Sequence, residues 1–225
     1  MVTGKAFYAF LTSLNPALRL PKGFSFLNPY SDETVRLLLK SFCDKFYKGN
    51  RKRVLILGIN PGRLGAGVTG IPFTDPVTLH DYCGLQNPFE KRPELSSSFV
   101  YQFISAFGGT EHFYRHFLIS SVCPLGFLYK DKNANYYDDP KLMKSASDFM
   151  NRSLMDHLDF NIDTRNLIVL GKRNADVLQG LDAFQDLRFG NVHVLEHPRF
   201  IMQYRRKSVD GYVDKFVDTL KKSIS

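Results

Sequence analysis

Two short segments of this chain carry side chains able to do chemistry on a flat polar ligand. In the first, the apolar run Val54-Leu55-Ile56-Leu57 breaks off into Gly58-Ile59-Asn60-Pro61-Gly62-Arg63. In the second, Val192-His193-Val194-Leu195 leads through Glu196 into His197-Pro198. A carboxamide is too weak a base to take a proton efficiently, but it orients water or hydrogen-bonds a polar ring. An imidazole donates well to an oxygen that is becoming an anion. Together Asn60 and His197 suit a reaction with a good anionic leaving group and a weak nucleophile. Gly62, Gly65 and Gly67 allow a backbone to approach a ligand closely. Phe73, after Pro72 in the same long loop, is either a core residue or a stacking face for a planar ligand.

Both residues need strands behind them. Branched aliphatic runs that stop abruptly at turn residues read as buried parallel strands, and the crevice at their carboxyl ends is where open α/β sheets bind ligands. Such runs occupy 54–59, 117–122, 167–170 and 192–195, so that Asn60, Ser121, Gly171 and His197 fall along one edge. Between them lie helical patterns over about 97–107, 140–158 starting at Pro140, and 174–181. A helix capped by Ser31 or Asp32 precedes the first strand, and a helix over 209–222 closes the chain. Residues 1–30 combine a helical apolar spacing (Phe7, Phe10, Leu11, Leu14) with a Pro/Gly-punctuated loop. Strands alternating with helices predict an α/β protein: a three-layer α/β/α sandwich around a central, mainly parallel four-stranded sheet. At 225 residues, without repeats, one domain over 1–225 is expected.

The net charge of +8 favours polyanionic partners, and it is uneven. Residues 1–75 carry +7, against −1 and +2 in the two following thirds, so the excess clusters near Asn60. A second basic segment follows His197. Arg199, Arg205, Arg206 and Lys207 interleave with Phe200, Met202 and Tyr204, a pattern suited to phosphates and to wedging between bases, or else a solvated turn. Cys43, Cys83 and Cys123 stand too far apart for a zinc or iron–sulfur site and are odd in number for a disulfide framework. No metal site or cofactor is expected. Asp138-Asp139 reads as a helix cap. The start Met1-Val2-Thr3-Gly4-Lys5 has no signal-peptide core, and no run is long enough to span a membrane. A soluble cytoplasmic protein follows as the expectation. The glycine spacing fits neither a dinucleotide fingerprint nor a phosphate loop, and no serine or cysteine sits in a nucleophile elbow.

Gly58-Ile59-Asn60-Pro61-Gly62 through Thr69-Gly70-Ile71-Pro72-Phe73, with Val122-Cys123-Pro124-Leu125 and His197-Pro198, resembles the uracil-DNA glycosylase superfamily. Within it, the chain is most similar to the single-strand-selective monofunctional branch and to its divergent bacterial members, over roughly residues 50–220. The resemblance implies that Asn60 positions the attacking water and that His197 stabilises charge on uracil O2. Phe73 would stack on the extruded base, and Ile59 would line the pocket through its backbone. Gly62 falls where the most uracil-specific relatives carry a tyrosine that blocks the thymine methyl, so oxidised pyrimidines such as 5-hydroxymethyluracil fit. Ser121 replaces the usual base-reading asparagine, which alters the donor–acceptor pattern and opens the pocket to hypoxanthine or xanthine.

On this resemblance the expected activity is monofunctional hydrolysis of the N-glycosidic bond of a deaminated or oxidised base in DNA, by a monomer. Neither motif contains a lysine to form a Schiff base, so strand cleavage is not expected. Arg63, Arg199, Arg205, Arg206 and Lys207 would contact DNA, single- or double-stranded. Two rivals stand beside this reading: a non-catalytic nucleic-acid-binding module on the same fold, and a nucleotide-binding α/β hydrolase acting on free nucleosides.

Overall fold

The structure is a computed structural model that describes residues 3–16 and 18–225. Met1 and Val2, on which part of the amino-terminal expectation rests, lie outside the described residues. In chain order the elements are α1 (Thr3–Thr12), β1 (Phe24–Leu27), α2 (Glu33–Phe46), β2 (Arg53–Gly58), α3 (Ala66–Thr69), α4 (Pro76–Asp81), α5 (Leu95–Ala106), α6 (Thr110–His116), β3 (Phe117–Ser121), β4 (Gly126–Tyr129), β5 (Lys132–Ala134), α7 (Pro140–Asp156), β6 (Ile162–Leu170), α8 (Lys172–Gln179), α9 (Asp182–Leu187), β7 (Asn191–Leu195), α10 (Pro198–Tyr204) and α11 (Val209–Ile224).

The main sheet has the order β3-β2-β6-β7, with every pair parallel. Helices flank it, giving the three-layer α/β/α sandwich. β2 is buried along its whole length, as a strand rich in aliphatics and covered on both faces must be. The chain leaves β2 first for β3 on one side and later for β6 on the other, so a topological switch point lies between β2 and β6. Their carboxyl ends open the crevice there. The register pairs Gly58 with Ser121 across β2 and β3, and Leu170 with Leu195 across β6 and β7.

Predicted helix starts coincide with their capping chemistry. Asp32 accepts from the Thr34 and Val35 amides at the start of α2, and Asp139 accepts from those of Lys141 and Leu142 ahead of Pro140. The cores of the layers are aromatic. Phe99 and Phe103 of α5 meet Phe216 of α11 at ring-centre distances of 5.0 Å. Phe7 and Phe10 of α1 pack on Phe160, at 5.5 and 5.2 Å.

Three features depart from the sequence reading. A second sheet, β1-β4-β5, antiparallel throughout, stands beside the main one, with β1 in the Pro/Gly-punctuated stretch expected to be a loop and β4 and β5 in a stretch for which no element was expected. Its strands are only three or four residues long, and the β4–β5 turn uses Lys130 and Asp131 at φ of 48° and 60°. That left-handed pair is normally signalled by Asn-Gly or Asp-Gly. β6 begins five residues earlier than its apolar core, through the polar Asp163-Thr164-Arg165-Asn166. The basic segment after His197 contains a helix, α10, that uses His197 as its N-cap and Pro198 as its first residue.

One buried side chain ties the strand ends together. Asn174, fully buried in the first turn of α8, donates through Nδ2 to the carbonyls of Gly58 (3.1 Å), Leu170 (3.3 Å) and Leu57 (3.4 Å). Its Oδ1 accepts from the Tyr136 hydroxyl. Removing the amide strands the Tyr136 hydroxyl and takes a donor from the carbonyls, of which that of Gly58 keeps the Val122 amide at 3.0 Å; each buried group left unpaired costs about 1–3 kcal/mol when no water replaces the amide. Asn174→Ala is therefore expected to lower the unfolding free energy by about 2–4 kcal/mol, and Tyr136→Phe by about 1–3 kcal/mol. Urea denaturation checks both; an unchanged midpoint for Asn174→Ala would contradict the clamp.

Candidate active site

A cavity of about 70 Å³ opens at the carboxyl edge of the main sheet, lined among others by Ile59, Asn60, Gly62, Phe73, Ser121 and His197. The structure therefore brings together the six residues singled out for base contact or catalysis, supplied by the loop after β2, the end of β3 and the junction of β7 with α10. Arg199 also lines it. Arg63 and Arg205 lie in neighbouring grooves. Arg206 and Lys207 sit exposed on a 3-10 turn after α10 and line neither the cavity nor these grooves.

Asn60 is held by its amide nitrogen. Nδ2 donates to the Ala134 carbonyl at 3.2 Å and, more weakly, to that of Pro61 at 3.4 Å. This leaves Oδ1 buried without a hydrogen-bond partner, on a residue that lines the cavity. Buried polar atoms are almost always satisfied, so an orphan in a pocket marks a place for a water or ligand donor.

His197 is fixed from the opposite side. Its Nδ1 accepts the Arg199 amide N–H at 3.2 Å, which assigns the proton of the neutral ring to Nε2. Burial pulls the imidazole down to about 4, and the nearby Arg199 charge adds to this. At neutral pH His197 is thus an uncharged donor.

Phe73 sits between the two motifs. Its ring centre lies 5.9 Å from that of His197, with the planes at 44°. Its backbone holds φ at 53°, a left-handed conformation that is strained for a phenylalanine. Thr69 stabilises the turn by donating to the Thr74 carbonyl at 2.6 Å and accepting the Ile71 amide at 3.1 Å. The ring lies directly over Gly58, where a Cβ would come within 2.5 and 2.7 Å of two ring carbons. Of the two readings open for Phe73, the geometry favours the pocket wall: the side chain is only partly buried and faces the cavity.

The sequence reading passed over Glu94, Asn133 and Asn135, which also line the cavity. Asn133 is turned by the Arg63 amide, which donates to its Oδ1 at 2.9 Å and leaves Nδ2 near Gly62. Glu94 is half-buried, accepts from the Ser97 hydroxyl at 3.2 Å, and has its carboxyl pushed up, first by burial. A Cβ at Gly62 would lie 3.4 Å from Asn133 Nδ2 and 4.0 Å from Glu94 Oε1, so the room beside this glycine has polar walls. Asn133 and Asn135 belong to the short hairpin, which offered no periodic signal. Glu94 precedes the helix expected from about residue 97 and carried no signal of its own.

A family model described as the uracil DNA glycosylase superfamily matches residues 45–221. The single-strand selective monofunctional uracil DNA glycosylase of Bos taurus is 32% identical over 103 residues, covering 38% of this chain and 38% of the relative. That of Mus musculus is 33% identical over 94 residues, covering 34% of each. The match thus spans little more than a third of these curated relatives. The crystal structure of wild-type SMUG2 from Pedobacter heparinus superposes with a TM-score of 0.94 at 40% identity, covering 99% of this chain and 98% of that one.

The neutral state of His197 is directly measurable. In an NMR titration its ring signals are expected to move with a midpoint near 4, with no transition at the ordinary imidazole value. A midpoint at or above 6.5 would show that the ring is solvated and the cavity differently built.

Proposed function

Because the chain belongs to the uracil DNA glycosylase superfamily, we propose that it hydrolyses the N-glycosidic bond of uracil, or of a related deaminated or oxidised base, in DNA. The observation that carries this reading is the convergence on one cavity of an unpartnered Asn60 Oδ1, a neutral His197 N–H donor and the Phe73 ring face.

A base inside a duplex cannot reach such a cavity, so the target nucleotide must leave the stack, at a cost of a few kcal/mol that is lowest in single strands and mispairs. Phe73 then covers one face of the base. As the bond between C1′ and the base nitrogen lengthens, its electron pair moves onto the base and builds charge on a ring carbonyl oxygen. His197 donates from Nε2 to that oxygen. A neutral donor held in place stabilises the leaving anion without proton transfer, and its effect is enlarged where water is excluded. The sugar becomes cationic and needs only a weak nucleophile. Asn60 Oδ1 accepts a hydrogen from a water and directs its oxygen to C1′; the water's proton leaves to solvent. The products are free base and an abasic site with the strand intact.

Substrate range follows from the polar room beside Gly62 and from the hydroxyl of Ser121. We read these as accommodating 5-hydroxymethyluracil and xanthine beside uracil. The protein acts as a monomer, with Arg63, Arg199 and Arg205 nearest to the strand.

The test is base release from single- and double-stranded oligonucleotides carrying uracil, 5-hydroxymethyluracil or xanthine, with abasic sites revealed by alkali. The native chain is expected to release base and to leave the strand uncut before alkali. Absence of release from every substrate, with binding retained, would favour the non-catalytic module. Asn60→Ala and His197→Ala are each expected to lower kcat by about 10²–10³-fold, the magnitude typical of one lost preorganised hydrogen bond in the transition state. Gly58→Ala, which must displace the Phe73 ring, is expected to reduce kcat/KM by at least about tenfold, roughly the worth of one lost base–aromatic stack. Near-native kcat/KM in that variant would count against stacking on Phe73.

A further inference from the structure

Four buried polar side chains lie behind the Phe73 turn and take no part in the chemistry described above: Thr74, Cys83, Tyr101 and Tyr114. The Tyr101 hydroxyl, on α5, is their hub, at 2.9 Å from Thr74 Oγ1, 3.1 Å from Cys83 Sγ and 3.2 Å from the Tyr114 hydroxyl. The hydrogens available set the direction of each bond. Thr74 has one hydroxyl hydrogen, and it goes to the Pro72 carbonyl at 3.1 Å, an oxygen that can only accept. Tyr101 therefore donates to Thr74, and its own oxygen accepts from the Tyr114 O–H and the Cys83 S–H. Burial pushes all three of these groups up, so each keeps its proton.

The series ends on the peptide that sets the pose of Phe73. The Pro72 carbonyl carbon is the first atom of the Phe73 φ angle, the one held at 53°. A left-handed phenylalanine persists only where its surroundings over-determine it. Here both flanking peptides are bonded: the Thr74 amide donates to the Ile71 carbonyl at 3.1 Å, and the Thr74 hydroxyl takes the Pro72 carbonyl. The first of these bonds stays within the turn, whereas the second continues into α5 through Tyr101. Packing alone does not call for a phenol at that position. Burying a hydroxyl carries a desolvation cost that phenylalanine avoids, as Phe99 and Phe103 do on the same helix. The oxygen of Tyr101 is accounted for by what it holds.

We propose that Tyr101 is a positioning residue for base excision: through Thr74, its hydroxyl holds the Phe73 backbone in the conformation that presents the ring to the base. This rests on the glycosylase reading, in which Phe73 covers the extruded base. Tyr101 itself touches neither the substrate nor the reacting atoms, and Cys83 and Tyr114 orient it. Loss of the hydroxyl leaves Asn60 and His197 bonded as before. The defect therefore falls on holding the base, not on breaking the glycosidic bond.

The experiment compares Tyr101→Phe, Thr74→Val and Thr74→Ser with the native protein on a uracil-containing single strand. Tyr101→Phe and Thr74→Val are each expected to raise KM about fivefold or more, the lower end of what a base–aromatic stack is worth, with kcat within about threefold. Thr74→Ser keeps the hydroxyl and is expected to stay close to native in both. The double variant Tyr101→Phe/Thr74→Val should be no worse than either single one, because the two hydroxyls act in series. Tyr47→Phe removes a buried hydroxyl that accepts the Ile119 amide at 3.4 Å, away from the turn. It is the control for lost stability alone, with a lower Tm and a native KM. The His197 ring signals in NMR need no turnover: the Phe73 ring, with its centre 5.9 Å away, displaces them. They are expected to move in Tyr101→Phe and to stay in Tyr47→Phe. A native KM in Tyr101→Phe and Thr74→Val, whatever their Tm, makes the hydroxyl merely structural and overturns the proposal, as does a Thr74→Ser as impaired as Thr74→Val. Should Tyr101→Phe fail to fold, the two Thr74 variants decide the same question. If the native chain releases no base, the glycosylase reading fails instead. The hold of Tyr101 on Phe73 is then judged by the His197 signals, which overturn it if they are unchanged in Tyr101→Phe.

Discussion

The site depends on the way the ends of the two central strands are held together. A parallel sheet leaves its carboxyl-terminal carbonyls pointing into the crevice, where a ligand pocket must also be dry. Unpaired, they would draw in water or pull the loops apart. The Asn174 amide shares its two hydrogens among three of them, across β2 and β6, with the Val122 amide as a second donor to Gly58, and its own oxygen accepts from Tyr136. Two residues before Tyr136, the Ala134 carbonyl takes the Asn60 amide. A chain of polar contacts thus runs from the sheet edge through the small hairpin to the residue that faces the ligand. The aim of Asn60 is inherited from the core.

The same economy governs the electrostatics. Arg199 contributes in two opposite ways: its backbone N–H fixes the His197 tautomer, while its charge helps to keep the ring neutral. His157 is a second buried imidazole, held down to about 4 by burial, but its nitrogens face the Ser153 carbonyl at 2.6 Å and the Ser120 hydroxyl at 2.7 Å. Similar depression of basicity therefore accompanies a structural role in one histidine and an open donor in the other. What separates them is whether the second nitrogen has a partner.

Much of the architecture was legible because it rests on long, periodic signals. The aliphatic runs of β2, β3 and the second half of β6 could be buried only in a covered sheet, and Pro140 after Asp139 marked the start of α7 by capping chemistry. The convergence of Asn60, Ser121 and His197 followed from placing strand ends on one edge, whereas Phe73 stood open between the core and the pocket wall. The hidden parts share a cause. β1, β4 and β5 are too short for alternation to register, and Lys130-Asp131 adopts a turn that other residues favour. Consequently Asn133, Asn135 and the Ala134 carbonyl were invisible as parts of the site. α10 was masked by an uncommon cap, since histidine seldom announces a helix. Glu94 and Asn174 carry no local mark of their roles; only the fold brings them to the strand ends.

Phe73 is strained before any ligand arrives, and the turn that strains it is bonded through Thr69 and Thr74. The backbone freedom of that residue has been surrendered during folding rather than on encounter, so a guest meets a wall already in place. Affinity then falls less on the protein's reorganisation than on the nucleotide's, and the rate at which DNA exposes a base becomes the natural pacemaker of recognition. A lesion that loosens its own helix announces itself to such a receptor, whereas one that pairs well stays hidden however neatly it would fit.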